Sequence, residues 1–333
     1  MNEILLSGTR SSPQREAAAR AIGCRARRPA RTVRCILALP LLLLSPLPVQ
    51  AAARLNVVAT LPDFTSIAGA VGGDLVQATS LAKGSEDAHF VDPRPSFIRV
   101  LNQADVLIEG GADLETGWLP PLVASARNRR ILPGQPGRVA LASHVQLLEV
   151  PSAPVDRSQG DIHAAGNPHF WLDPVNGEKI AAHLADVFAR LDPPNAARYQ
   201  EGRKLFCDRL ARKLAEWKRQ MEPFRGTRVL TYHKAYEYFA ARFELEIVGQ
   251  IEPKPGLEPS PTHLNALIQR AREQGVKLVL VEPFRARKTA EHVARSIGAK
   301  MLILPEKAGG AENVKDYFGL FDYAVAQITG ALR

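Results

Sequence analysis

The chain has 333 residues and a hydrophobic fraction of 46%, which is enough for two domains of ordinary size with substantial cores. Its net charge of +9 raises the possibility of nucleic-acid binding, but residues 1–53 hold eight arginines and only two acidic residues. The rest of the chain has 35 basic and 32 acidic residues, a net charge of +3, which gives no support for a phosphate-binding surface. We therefore expect no nucleic-acid partner.

The N-terminal segment has the layout of an export signal. Five arginines at positions 25–34 precede an apolar run from residue 35 to about residue 47, and residues 49–53 offer small side chains for cleavage. The apolar run, about 13 residues long and interrupted by proline, is short for a membrane span, although an uncleaved anchor is the alternative. We therefore expect residues 1–53 to be a signal segment.

Cysteine use agrees with export. Cys24 and Cys35 would leave with the signal, so only Cys207 would remain, and a single thiol cannot form an internal disulfide. Cys35 precedes the apolar run instead of following it, which argues against a lipid-anchored cysteine at the cleavage site. The mature chain is therefore expected to be a soluble periplasmic protein.

The first half of the mature chain alternates short apolar strands with amphipathic helices. Strands are predicted at residues 55–60, 76–81, 105–109 and 139–142. Helices are predicted at residues 62–73, 95–104 and 115–127. Residues 150–168 are rich in Pro, Ser and Gly and carry Asp161 and His163, which indicates a long loop of the kind that is often functional or mobile.

Two helices are predicted in the middle of the chain. The first covers residues 174–190 and begins at Asp173-Pro174, a strong helix-start signal. The second, at residues 195–221, is charged and amphipathic and would span about 40 Å, which suits a rigid connector better than a hinge. The predicted domains are an N-terminal lobe at 54–191, a connecting helix at 192–224 and a C-terminal lobe at 225–333.

The second half repeats the alternation of strand and helix. Strands are predicted at residues 229–232, 245–249, 277–282 and 301–304. Helices are predicted at residues 234–241, 262–274, 288–297 and 314–332. Together with the first half, this pattern predicts an α/β fold of two parallel-sheet lobes with flanking helices, joined by the long rigid helix, with a metal site in the cleft between them.

Three histidines and one acidic residue follow predicted strands or end the long loop. They are His89, His169, His233 and Glu306. Because ligands bind at the carboxyl ends of parallel strands, these side chains are expected to meet in the cleft, where three imidazoles and one carboxylate suit a four-coordinate Zn²⁺.

The fourth ligand is the least certain member of this set. Glu282, Glu86 and Asp87 are alternatives to Glu306 because they end a strand or lie beside His89. The remaining histidines of the helices and their edges are expected to be packed or solvated instead: His144, His183, His263 and His292.

The sequence resembles the metal-binding solute receptors of ABC importers, the zinc and manganese receptors among periplasmic binding proteins. The resemblance covers residues 55–331 and rests on Glu86-Asp87-Ala88-His89-Phe90-Val91-Asp92-Pro93-Arg94-Pro95-Ser96, Asn167-Pro168-His169-Phe170-Trp171-Leu172-Asp173-Pro174, Tyr232-His233-Lys234-Ala235-Tyr236, Ile251-Glu252-Pro253, Glu258-Pro259-Ser260-Pro261 and Glu282-Pro283. It implies that His89, His169 and His233 bind the metal. The family usually has His at the third position in zinc receptors and Glu in manganese receptors, so His233 favours zinc.

The chain departs from this family after its last strand. The family often has an Asp there, whereas residues 304–310 contain no Asp, so Glu306 or a water would complete the shell. Of the His- and Asp-rich loop found in some zinc members, only Asp156, Asp161 and His163 remain.

The expected function is a periplasmic receptor that binds Zn²⁺, as transported ligand, and delivers it to the membrane permease of a metal ABC importer. We expect a monomer and no enzymatic activity, with a periplasmic metallochaperone as a further candidate partner. The alternatives are a manganese or iron receptor, a metal chaperone, and a zinc-dependent hydrolase, against which the lack of a His-Glu-x-x-His helix counts. Because binding needs neutral imidazoles, the affinity for the metal is expected to decrease when the pH drops below about 6.5.

Overall fold

The first of two parallel sheets lies in the N-terminal half of the chain. The computed structural model describes residues 54–152 and 163–333, so the predicted signal segment and the part of the long loop that holds Asp156 and Asp161 lie outside the described residues. The strands are β1 (Leu55–Ala59), β2 (Val76–Ser80), β3 (Val106–Glu109) and β4 (Arg138–Ala140). Their order is β2-β1-β3-β4, and every pairing is parallel, with Val57 opposite both Ala78 and Val106.

The second sheet repeats this topology in the C-terminal half. Its strands are β5 (Arg228–Thr231), β6 (Glu246–Gln250), β7 (Leu278–Val281) and β8 (Lys300–Ile303). Their order is β6-β5-β7-β8, again all parallel. In both sheets the strand order reverses beside the first strand, and the carboxyl ends at such a switch point form the usual ligand-binding crevice of open α/β sheets.

Helices flank both sheets. They are α1 (Pro62–Gly72), α2 (Pro95–Gln103), α3 (Leu119–Ala126), α4 (Pro174–Leu191), α5 (Ala196–Met221), α6 (Glu237–Phe243), α7 (Pro261–Glu273), α8 (Arg287–Ile297) and α9 (Tyr317–Leu332). Several begin with proline in the first turn, where its missing N–H costs no hydrogen bond. The Asp173 carboxylate caps α4 by accepting from the Val175 N–H at 2.9 Å. The two-lobe α/β prediction is confirmed.

Helix α5 is the longest helix of the described residues. Its 26 residues correspond to about 39 Å, and it packs against α1, α4 and α9. Gly202 makes the contact with α1 possible, because a Cβ there would lie 2.1 Å from the Val71 carbonyl oxygen. At the other end the Trp217 indole N–H donates to Asp322 of α9 at 2.7 Å. Within the described part of the chain, no helix is both long and apolar enough to cross a membrane.

One apolar core extends through both lobes. It joins residues of the first sheet and of α1, α4 and α5 to residues of β5, α6 and α9. A smaller core packs α7 and α8 against the second sheet. Because the larger core is shared, a wide opening of the cleft would expose apolar side chains such as Phe64, Trp171 and Phe321 to water. This arrangement favours small local movements over a wide hinge motion.

Three helices begin later than the sequence pattern predicts, and polar side chains explain the difference. Helix α3 begins at Leu119 instead of residue 115, because the buried Glu115 carboxylate accepts from the N–H groups of Gly110 and Gly111, at 2.7 and 3.1 Å. Helix α9 begins at Tyr317 instead of residue 314, because Asp316 caps it by accepting from the Gly319 N–H at 2.7 Å.

Helix α6 begins at Glu237 instead of residue 234. The carbonyl of Lys234 accepts a hydrogen bond from the Asn167 side chain at 2.9 Å in place of one from a helical N–H. The residues directly after His233 therefore form turns, which leaves the imidazole on an irregular segment at the end of β5.

Candidate metal site

Three buried histidines meet between the two sheets. His89 lies in the loop between β2 and α2, His169 lies at the start of a short 3₁₀ turn before α4, and His233 follows β5. One ring nitrogen from each lies within 4.8 Å of the other two. All three side chains are largely excluded from solvent. The structure therefore brings together the three histidines that the sequence singled out.

The ring geometry matches three ligands of one ion. The centroid separations are 5.2 Å for His89–His169, 5.4 Å for His89–His233 and 5.2 Å for His169–His233, and the Nε2 atoms of His89 and His169 are 3.3 Å apart. Imidazole nitrogens bound tetrahedrally to one Zn²⁺ at about 2.0–2.1 Å would lie about 3.3 Å apart, with centroids separated by about 5 Å. The rings are therefore spaced as ligands of one such ion would be.

Asn167 fixes the orientation of His169. The Asn167 Oδ1 atom accepts from the backbone N–H and from the Nδ1–H of His169, both at 3.0 Å. Its amide nitrogen donates to the Lys234 carbonyl, across the cleft, at 2.9 Å. With the proton on Nδ1, the Nε2 lone pair of His169 points to the other two imidazoles, as a metal ligand requires.

Glu252 fixes the orientation of His233 in the same way. The His233 Nδ1–H donates to Glu252 Oε2 at 2.8 Å, while Nε2 is buried and has no hydrogen-bond partner among the described residues. A carboxylate behind a histidine is the usual support of a metal-binding imidazole. A buried lone pair without a partner is costly, and a bound cation would remove that cost.

Arg285 connects the supports of two histidines from opposite lobes. Its guanidinium lies 3.0 Å from Glu252 Oε1 and 3.2 Å from Asp87 Oδ2. Asp87 in turn accepts from the backbone N–H of His89 at 3.0 Å. The contacts thus run from His89 through Asp87, Arg285 and Glu252 to His233.

Glu306 lies at the edge of the cluster. Its Oε2 is 3.9 Å from the His169 Nε2 atom, its other oxygen contacts the Lys307 ammonium, and its backbone carbonyl accepts from the Trp171 indole N–H at 2.7 Å. A carboxylate at this distance needs a small shift to share an ion with the imidazoles.

The other carboxylates considered from the sequence have different surroundings. Glu86 pairs with Arg94, and Asp87 pairs with Arg285. Glu282 is fully buried, and neither of its oxygens has a hydrogen-bond partner among the described residues. Burial, followed by the nearby charge of Glu306, raises the pKa of Glu282 to about 8, so it is protonated at neutral pH and is a poor ligand. Glu306 is thus the best placed of the four.

Burial lowers the pKa of both His89 and His169 well below 6.5, and the neighbouring imidazoles lower it further. Both rings are therefore neutral well into the acidic range. For these two ligands, protons therefore compete with the metal only well below pH 6.5, whereas a decrease in the affinity of the whole site below about pH 6.5 stays a prediction.

A cavity of about 210 Å³ borders the histidines. Its walls include His169, His233, Lys234 and Glu252, together with His163 from the end of the long loop. The His163 ring stacks on His89 with centroids 5.0 Å apart and an interplanar angle of 27°. This cavity thus lies between two of the three imidazoles and the end of the long loop.

The remaining histidines behave differently. His144 and His183 stack face to face, with centroids 3.4 Å apart and an interplanar angle of 21°. The His263 side chain contacts the Gln250 carbonyl at 3.2 Å, and His292 lies on α8. Among the described residues, His89, His169 and His233 form the one group of three or more potential ligands with converging donor atoms.

Sequence reasoning missed the residues that support the site. Asn167 and Glu252 lie within the motifs that carry the resemblance, but their spacing gives no sign of which histidine each one holds. Lys307 is fully buried and the Arg285 side chain is only 13% exposed, and no local pattern distinguishes these two charged residues from solvated ones.

Comparison with known sequences gives one consistent result. A family described as the periplasmic component A of the zinc-uptake complex matches residues 57–331. The high-affinity zinc uptake system protein ZnuA of Paracoccus denitrificans is 30% identical over 252 residues, which cover 66% of this chain and 73% of that protein. The metal ABC transporter substrate-binding lipoprotein SloC of Streptococcus mutans is 23% identical over 287 residues, which cover 84% and 90% of the two chains.

Solved structures agree in fold. A crystal structure of ZnuA aligns with a TM-score of 0.70 at 24% identity and covers 84% of this chain and all of the matched chain. A zinc-bound ZnuA with residues 138–173 of its own chain deleted aligns with a TM-score of 0.69 at 25% identity, covering 84% and 98%. The two-lobe α/β architecture is thus shared with these solved structures.

Proposed function

Because this chain belongs to the family of periplasmic zinc-uptake components, the substrate-binding proteins of metal ABC transporters, we propose that it binds Zn²⁺ between its two lobes and delivers it to a membrane permease. It is a solute-binding protein and not an enzyme, since its relatives and structural neighbours are solute-binding proteins. The metal is the transported substrate. The zinc hydrolase considered from the sequence is set aside on this ground.

The spacing of the three imidazoles carries the proposal. His89, His169 and His233 have the separations expected for three ligands of one tetrahedral ion. The Nδ1 atoms of His169 and His233 are held by Asn167 and Glu252, which leaves their Nε2 atoms as donors. In our proposal Glu306 is the fourth ligand, reached by a small shift of its carboxylate.

The ligand set favours zinc over manganese. Imidazole nitrogen is a borderline donor suited to Zn²⁺, whereas Mn²⁺ prefers more oxygen ligands. A manganese or iron receptor is the second candidate, because the structural neighbours include a manganese-bound periplasmic metal-binding protein from Candidatus Liberibacter asiaticus. With three nitrogens and one oxygen, we expect this site to bind Zn²⁺ more tightly than Mn²⁺.

Delivery requires export and a partner in the membrane. We infer that residues 1–53 direct export to the periplasm, that residues 54–333 act as a monomer, and that the permease of a metal ABC importer receives the ion. A periplasmic metallochaperone is a further candidate partner. Since the lobes share one core, we expect release to come from movement of the loops that carry His89 and His233 together with a small shift of the lobes.

Competition between metals tests this function directly. Metal-stripped protein would be titrated with Zn²⁺, Mn²⁺ and Fe²⁺ at pH 7.5 by calorimetry, with a chelator of known affinity present for the tightest ion. The proposal predicts one Zn²⁺ per chain and displacement of Mn²⁺ by equimolar Zn²⁺. Preferential binding of Mn²⁺ or Fe²⁺ would favour the second candidate, and absence of binding by any of the three would refute both.

A further inference from the structure

Lys307 is a fully buried lysine beside the histidine cluster. Its side chain has no exposure to solvent, its ammonium contacts one oxygen of Glu306, and the nitrogen lies 5.0 Å from the centroid of the Phe284 ring. Lysine is almost never fully buried unless it is paired, because removing an ammonium from water is costly. The fold therefore holds a positive charge at this place, although an aliphatic side chain would fill the space at lower cost.

The positive charge of Lys307 lies close to the point at which the three imidazoles would bind a cation. One Glu306 oxygen contacts the Lys307 ammonium, and the other lies 3.9 Å from the His169 Nε2 atom. A single carboxylate thus separates the ammonium from the point on which the three imidazoles converge. The ammonium and the carboxylate neutralise each other, so this pair adds no net negative charge beside the three imidazoles.

This arrangement has two effects on a divalent ion. The ion must share the Glu306 carboxylate with a group that already neutralises it. It is also repelled by a positive charge across the width of one carboxylate, in a buried place where solvent screens charges weakly. Both effects weaken binding, and both favour return of the ammonium to Glu306 when the ion leaves.

We propose that Lys307 is a built-in competitor of the bound metal, which lowers the affinity of the site for Zn²⁺ and speeds its release. This inference rests on the proposed function. Removal of Lys307 has opposite effects on zinc affinity in the two possible roles. If Lys307 only held Glu306 in position, its removal would weaken zinc binding. If Lys307 competes with the metal, its removal strengthens zinc binding.

The test compares Lys307→Met, which keeps an unbranched side chain as far as Cε and removes the ammonium, with Lys315→Met, the same change at an exposed lysine nearby. Zinc affinity would be measured at pH 7.5 by competition with a fluorescent chelator, and the zinc off-rate by transfer to excess chelator. We expect Lys307→Met to bind Zn²⁺ about tenfold more tightly or better, with slower release, and Lys315→Met to match the wild type. Unchanged or weaker binding by folded Lys307→Met overturns the proposal.

A second comparison covers the case in which Lys307→Met does not fold because Glu306 is left buried without a partner. The double variant Glu306→Gln/Lys307→Met removes both charges, and its reference is Glu306→Gln alone. The proposal predicts tighter zinc binding by the double variant than by Glu306→Gln, and equal or weaker binding overturns it. Wild-type protein that binds no zinc refutes the proposed function itself, whereas normal wild-type binding with no gain in these variants refutes only the role of Lys307.

Discussion

Two groups of histidines can be compared among the described residues, and only one has ring nitrogens that converge on a single point. His89, His169 and His233 are 5.2–5.4 Å apart between ring centroids and inclined to one another by 61–72°. His144 and His183 are closer, at 3.4 Å, but nearly parallel. Ring-nitrogen lone pairs lie in the ring plane, so those of inclined rings can meet at one point, whereas those of stacked rings run side by side.

A lowered pKa does not distinguish the two groups. Burial lowers the pKa of His89 and His169 well below 6.5, and burial together with His144 lowers that of His183 to about 4. The difference lies in the supporting contacts. Asn167 and Glu252 hold the rings of His169 and His233 from behind, whereas His183 is held on one face by another ring. Orientation and support, more than proximity or charge state, therefore distinguish the proposed metal site from the stacked pair.

The largest effect is expected from removal of a converging imidazole. His89→Ala, His169→Ala and His233→Ala should each lower zinc affinity by more than about 100-fold, because loss of a ligand costs more than loss of its support. Chelator competition at pH 7.5 measures the change. Retention of wild-type affinity by any one of the three would remove that histidine from the proposed site.

A smaller loss is expected from the supporting contacts. Glu252→Gln and Arg285→Ala should each weaken zinc binding by about 10–100-fold. The first variant removes the charged acceptor of the His233 Nδ1–H, and the second removes the guanidinium that holds this acceptor in place. Glu258→Gln on the same loop is the matched control, because its side chain is exposed. If the Glu258 variant lost as much affinity as the Glu252 variant, the effect would belong to the loop and not to the contact.

Acid should destabilise the folded metal-free protein. The lowered pKa values of His89 and His169 mean that the unfolded chain takes up protons below about pH 6.5 while the folded chain does not. The free energy of unfolding of metal-free protein should therefore decrease as the pH falls from 6.5 towards the folded pKa values. Urea unfolding at pH 7.5, 6.5 and 5.5 measures this.

His169→Gln provides the comparison for the acid effect, since it removes one of the shifted groups. The decrease in stability between pH 6.5 and 5.5 should be smaller in this variant than in the wild type. An equal decrease in both proteins would show that His169 is not protected from protonation in the folded chain.

The smallest effect is expected from the stacked pair. His144→Ala and His183→Ala should leave zinc affinity and stoichiometry unchanged and alter stability by about 1 kcal/mol or less, because His144 is exposed and the pair contributes one stacking contact. Calorimetric zinc titration and urea unfolding measure the two quantities. Loss of a bound zinc equivalent in either variant would contradict the geometric distinction drawn above.

The sequence could predict local patterns of structure but not contacts between distant residues. Alternating strands and helices predicted all eight strands to within two residues at each end, because apolar periodicity is local. The helix starts at Leu119, Glu237 and Tyr317 were missed because polar contacts set them, one of them from a residue distant in sequence. The domain boundaries at residues 191/192 and 224/225 remain predictions.

The residues of the site also differ in how far the sequence could predict them. His89 and His233 could be singled out because they follow predicted strands, and His169 because it ends the long loop within a motif of the family. The bridge of Asp87, Arg285 and Glu252 joins residues far apart in the chain, and only the folded arrangement brings them together. Lys307 could not be recognised as buried, since a lysine after a strand and a loop proline is usually solvated.

The most direct test of the central claim is X-ray absorption at the zinc edge, combined with metal analysis, on protein stripped and reloaded with Zn²⁺. The account predicts one zinc per chain with four nitrogen or oxygen ligands at about 2.0–2.2 Å, including three imidazoles, and loss of one imidazole contribution in His169→Ala. A wild-type spectrum with fewer than three imidazoles, or one that is the same in His169→Ala, would contradict it.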